Sequence, residues 1–113
     1  MRRGVQDLAE YYASRSICNV KVGAVFSDNW GVFGFGWNHA GVDSKGECAE
    51  RKAIKGLNRK RLRGSKLTVF ASRKGIPILA RPCEKFCLKL IKKLGIKTME
   101  YTTKGGVWKT ESL

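Results

Sequence analysis

Leu8, Tyr11 and Tyr12, with Ala9 and Ala13 as weaker partners, repeat at the spacing of a one-sided helix and predict one over Asp7–Arg15. Val22–Phe26 and Val32–Trp37 are short apolar segments separated by Ser27-Asp28-Asn29-Trp30-Gly31, whose Asp, Asn and Gly suit a tight reversal. They read as a β-hairpin. Gly34 and Gly36 inside its second strand give up packing area, which implies that another backbone, a helix or a ligand comes close. After a polar, glycine-containing stretch from Asn38 to Gly46, the residues Ala49, Ala53, Ile54 and Leu57 fall on one side of a second helix starting near Glu47. Leu67–Ser72 is rich in β-formers and reads as a strand, followed by a loop from Arg73 to Arg81 that contains Gly75 and Pro77. A third helix begins after Pro82, carries Leu88, Leu90, Ile91 and Leu94, and stops at Gly95. Ile96–Tyr101 is then a strand, and Val107–Thr110, behind Lys104-Gly105-Gly106, an edge strand. This order predicts an α/β fold, a three-layer α/β/α sandwich on a mixed five-stranded sheet, in one domain over residues 1–113.

Composition agrees with that outline. A chain of 113 residues can bury one modest core, and 42% hydrophobic residues suffice to fold it. No stretch approaches the ~18 apolar residues of a membrane span. Met1-Arg2-Arg3-Gly4 lacks the apolar core of a secretory signal, so a cytoplasmic protein with no membrane partner is expected. Charge changes the picture more. The 23 Lys and Arg stand against 9 Asp and Glu, a formal net charge of +14, and a field of that sign attracts phosphates, single-stranded nucleic acid or a nucleotide. The basic run Asn58–Lys66 contributes Arg59, Lys60, Arg61, Arg63 and Lys66, either as a solvated helix end or as a phosphate-binding stretch. A subunit this small with an open site also favours a homo-oligomer.

Four cysteines carry the candidate chemistry: Cys18, Cys48, Cys83 and Cys87. In a reducing compartment disulfides are the less favoured use. Cys83 and Cys87 lie four apart at the start of the third helix, so successive turns put both sulfurs on one face, where one metal ion can span them. Two small apolar core residues would give the same spacing. Cys48 opens the second helix, and helices flanking one strand can bring their amino termini to the same sheet edge. Three thiolates would then hold one Zn2+ with a position left for water, whose pKa falls from about 15.7 to about 7. Glu50, beside that position, can take the water's proton and return it to a ring nitrogen and a leaving amine. Arg51 can donate to a thiolate and offset the excess negative charge of three sulfurs, or stand exposed on its helix. Cys18 reads as a buried structural thiol or as a fourth ligand, which would close the open position. His39 reads as a loop histidine or a base contact, and Trp37 as the tryptophan to test for base stacking over plain packing.

Cys48-Ala49-Glu50 followed by Pro82-Cys83-Glu84-Lys85-Phe86-Cys87 resembles the signature of the zinc-dependent cytidine and deoxycytidylate deaminase superfamily. Gly46–Ile54 is similar to the segment of small three-cysteine cytidine deaminases, and Ser16–Asn38, with Val22-Gly23-Ala24-Val25 and Gly36-Trp37-Asn38, to the first hairpin of deoxycytidylate deaminases. The resemblance implies a cytidine deaminase-like fold, zinc on Cys48, Cys83 and Cys87, Glu50 as proton shuttle, Asn38 on the sugar or base, and the Ala49 backbone at the pyrimidine edge. Ala40 stands where nucleoside deaminases typically carry a ribose-holding glutamate. The short link Leu94-Gly95-Ile96 resembles the nucleotide and polynucleotide branches, which implies that Ile96–Tyr101 runs parallel to Leu67–Ser72. The leading reading is hydrolytic deamination of cytosine to uracil on (deoxy)cytidine or its nucleotide. The alternatives are the same reaction on single-stranded DNA or RNA, and a non-catalytic zinc-stabilised nucleic-acid-binding module.

Overall fold

A computed structural model of the chain describes residues 4–38, 54, 57, 59–80 and 87–113. Its elements are α1 (Val5–Ser14), β1 (Val20–Asp28), β2 (Gly31–Trp37), α2 (Arg59–Leu62), β3 (Lys66–Arg73), β4 (Ile76–Ile78), α3 (Cys87–Lys93), β5 (Thr98–Thr102), a 3-10 turn at Lys104–Gly106, and β6 (Trp108–Ser112). β1 and β3 are apolar on both faces and therefore sit inside the sheet, paired antiparallel from Val20 opposite Arg73 to Ser27 opposite Lys66. β2 folds back on β1 through the two-residue turn Asn29-Trp30, with Val25 opposite Phe35. β5 lies parallel to β3, Leu67 opposite Met99, as the short link after α3 implied. β6 closes the far edge antiparallel to β5. The strand order is β2-β1-β3-β5-β6.

Those five strands match the expectation, and β4 is a sixth that the sequence reading had placed in a loop. Lys74 and Gly75 both take positive φ, 51° and 77°, which is the two-residue turn that returns a strand on its neighbour. β4 therefore pairs antiparallel with Ala71–Arg73, on the β3 edge that β5, paired only up to Val69, leaves vacant. Pro77 is tolerated there because its strand is short and at an edge.

Helices cover both faces. α1 packs on one, with Ala9, Ala13, Val25 and Phe70 buried together. On the other, Phe26, Leu67, Val69 and Met99 meet Leu88, Ile91 and Leu94 of α3 and its end, Leu62 of α2, and Ile54 and Leu57. The helix prediction for Asp7–Arg15 holds within two residues, and of its predicted apolar side Ala9, Ala13, Leu8 and Tyr12 face the core while Tyr11 does not. Ala9 and Ala13 are fully buried while Tyr11 is 41% exposed. The cause is Gly23 of β1: a Cβ there would stand 2.1 Å from the Ala9 carbonyl oxygen and 2.4 Å from the Ala13 nitrogen. Helix and strand touch backbone to backbone, which only small residues permit. Gly34 makes the analogous opening on β2, filled by the Leu57 side chain, so the close approach expected at the strand glycines is met there. Among the described residues no helix is long and apolar enough to cross a membrane.

Candidate active site

Cys48, Ala49, Glu50, Arg51 and Cys83 lie outside the described residues, as does His39. Cys87 is the first described residue of α3. That helix ends at Gly95, whose φ of 80° closes it, and its carboxyl end is tied to the start of β3 by the Gly64 N–H to the Gly95 carbonyl, 2.7 Å. Seven residues at about 1.5 Å each set Cys87 about 10 Å along the axis from that end, toward the carboxyl ends of β3 and β5. Asn38, directly after β2, lies at the same end of the sheet, because β2 runs parallel to β3 with antiparallel β1 between them.

The Asn38 carboxamide is fixed by the first residues of β1. Its Oδ1 accepts from the Val22 N–H at 3.0 Å and its Nδ2 donates to the Val20 carbonyl at 2.8 Å. Its own N–H donates to the Val22 carbonyl, which carries the ladder one residue beyond β2. Its carbonyl accepts from the buried Ser16 hydroxyl at 3.1 Å and from the Cys18 thiol at 3.8 Å. Ser16 also accepts from the Cys18 N–H at 3.2 Å, so Ser16, Cys18 and Asn38 form one knot between α1 and β1. Cys18 is half-buried and its thiol turns to a backbone carbonyl, where a buried thiol was expected.

Two groups that sequence reasoning passed over hold the neighbouring segments. Ser16 is one. Thr102, fully buried, is the other: its Oγ1 donates to the Ile78 carbonyl at 2.9 Å and accepts from the Ala71 N–H at 3.3 Å. The Ala80 N–H donates to the Thr102 carbonyl at 2.8 Å. The end of β5 thereby anchors β4 and the chain leaving it toward Pro82 and Cys83. The available signal was a threonine directly after an apolar strand, a position where a hydroxyl reaches neighbouring backbone. Trp37 stacks nearly parallel to Tyr12, 6.1 Å between centroids, and Arg15 lies 5.3 Å from its centroid. Tyr12 also stacks on Phe35 at 4.4 Å. Trp37 thus takes part in packing α1 onto β2.

As a donor set, three thiolates suit zinc, a borderline-soft ion that takes sulfur in tetrahedral sites. Of the expected ligands only the backbone of Cys87 is described, and among the described residues no three His, Cys, Asp or Glu side chains gather.

The fold resembles several solved structures. A cytidine deaminase from Burkholderia pseudomallei superposes with a TM-score of 0.68 at 24% identity, over 96% of this chain and 89% of that one. The dCMP deaminase of the cyanophage S-TIM5 gives 0.65 at 23% identity, covering 88% and 79%. RibD of Acinetobacter baumannii gives 0.61 at 19% identity, covering 87% of this chain and 27% of that one. At such identities the likeness shows the fold. No curated protein matches the chain by sequence. The family model for the cytidine and deoxycytidylate deaminase zinc-binding region matches residues 3–103, nearly the whole chain, and the protein belongs to that family.

Proposed function

We propose that the chain hydrolyses cytosine to uracil and ammonia on (deoxy)cytidine or its nucleotide, with zinc held by Cys48, Cys83 and Cys87. Family membership supports the reaction class. The observation that carries the reading is that Cys87, the first described residue of α3, and Asn38, directly after β2, stand toward the same end of the sheet. When bound, the ion supplies Lewis acidity, which makes a water acidic enough to attack at neutral pH. Glu50 would take one proton of the attacking water as its oxygen bonds to C4 and deliver it to N3, then carry the proton of the new C4 hydroxyl to the amine, which leaves as ammonia as the C4–N bond breaks and the C4 carbonyl forms. Arg51 donates to a thiolate and moderates its charge. Ala49 offers its backbone to the pyrimidine edge and Asn38 meets the sugar or base.

The parallel β5 supports a nucleotide over a free nucleoside, as does Ala40 in place of a ribose-holding glutamate. The same two features, with the net charge of +14, favour a polynucleotide as the second reading. Glu50→Gln is expected to keep one zinc per chain and to lower turnover by about 10²–10⁴-fold. Mass spectrometry on cytidine, deoxycytidine, deoxycytidylate and an oligonucleotide reads both the loss and the preferred substrate. Full activity in that variant would remove the mechanism.

A further inference from the structure

The opposite end of the sheet carries a groove of about 730 Å³. Among the described residues, Lys60, Arg61, Arg63, Lys66 and Lys97 line it against one carboxylate, Asp28. A neighbouring hollow shares Arg63, Gly64 and Lys97 with it and extends the cationic track to Lys92. Asp28 organises this end. Its Oδ1 accepts from the Trp30 N–H at 2.9 Å, an Asx turn that fixes the hairpin tip. The same carboxylate accepts two bonds from Arg61, Nε to Oδ2 at 2.6 Å and Nη2 to Oδ1 at 3.2 Å. The Arg61 guanidinium lies 4.5 Å from the Phe33 ring centroid. The hydrogen bond from Arg61 holds the Asp28 carboxyl below the usual carboxylate range and raises Arg61 above its own. Lys66 is placed by Glu100, 3.3 Å away.

On this fixed turn Trp30 stands 90% exposed, in a chain that buries Phe26, Leu62 and Met99 completely. An indole left in water forgoes the stabilisation of its apolar area and is informative where it borders a charged groove. Cations in a track with an aromatic face beside them are the means by which proteins hold unpaired nucleic-acid strands, phosphates on the charges and a base on the ring. A duplex hides its base faces and offers the ring nothing to stack on.

We propose that this groove binds single-stranded nucleic acid, with phosphates against Arg63 and Lys97 and a base stacked on Trp30, on a surface separate from the deamination site. The surface stands independently of the deaminase reading. Fluorescence anisotropy of a labelled 15-residue oligothymidylate with the full chain tests it. Trp30→Ala is expected to weaken binding about tenfold, within the stacking range, and Trp30→Phe to restore most of it. The double variant Arg63→Gln, Lys97→Gln should lower the log–log salt slope by about 1.4, at ~0.7 per phosphate for single strands. Saturating deoxycytidylate should leave the oligonucleotide bound, Glu50→Gln should bind it as wild type does, and the groove variants should keep the turnover of free nucleotide. Equal affinity in Trp30→Ala, equal affinity for a duplex, an unchanged salt slope, or displacement by deoxycytidylate would each overturn the proposal.

Discussion

Both ends of the Asn38 carboxamide are engaged by β1, the oxygen by Val22 and the nitrogen by Val20. A substrate contact from this residue would therefore use a side chain already oriented by the fold. Each such hydrogen bond contributes about 1 kcal/mol net, so Asn38→Ala should cost about 2 kcal/mol, read as a lower urea midpoint. Asn38→Asp keeps the acceptor toward Val22 but sets a carboxylate oxygen against the Val20 carbonyl, and should destabilise at least as much. Wild-type stability in both variants, with a raised KM alone, would mean that Asn38 serves the substrate and not the hairpin. The cysteines and Glu50 stand out in the sequence as expectations, because metal and proton chemistry demands particular atoms at particular spacings. Ser16 and Thr102 do not, because what they do depends on which backbone groups tertiary pairing brings to them.

Between elements, small residues set the distances. The α1–β1 contact rests on Gly23 against the backbone of Ala9 and Ala13, and backbone has no rotamer to yield. Gly23→Ala should force α1 outward and cost about 3 kcal/mol, in the upper part of the over-packing range. Gly34→Ala meets only the ends of the Leu57 side chain, which can turn, and should cost less. Urea denaturation of the two variants checks that order, and equal costs would show that α1 is not seated on the strand. Periodicity located α1 and its buried side apart from Tyr11, but it ranked the two alanines below the larger residues, since apolar size outweighs them in any such pattern. The glycine that reverses the ranking lies ten residues away on another element. β4 was missed for a related reason: three residues with a central proline carry little strand signal, and its pairing depends on the Lys74-Gly75 turn and on where β5 stops.

Across the whole molecule, Asn38 and the described start of α3 lie at one end of the mixed sheet, and lysines and arginines gather around the hairpin tip at the other. The net charge of +14 gave no location for an anionic partner; the groove proposed to hold one forms only where the β1–β2 turn, α2 and the start of β5 come together. In the proposed site three of the four cysteines hold zinc and leave a position open for the reaction. Zinc per chain, measured in Cys18→Ser, Cys48→Ser, Cys83→Ser and Cys87→Ser, separates this from a closed site. One equivalent is expected in wild type and in Cys18→Ser, and loss in the other three. Loss of metal in Cys18→Ser would make the site a closed four-sulfur one with no place for the attacking water, and contradict the proposal.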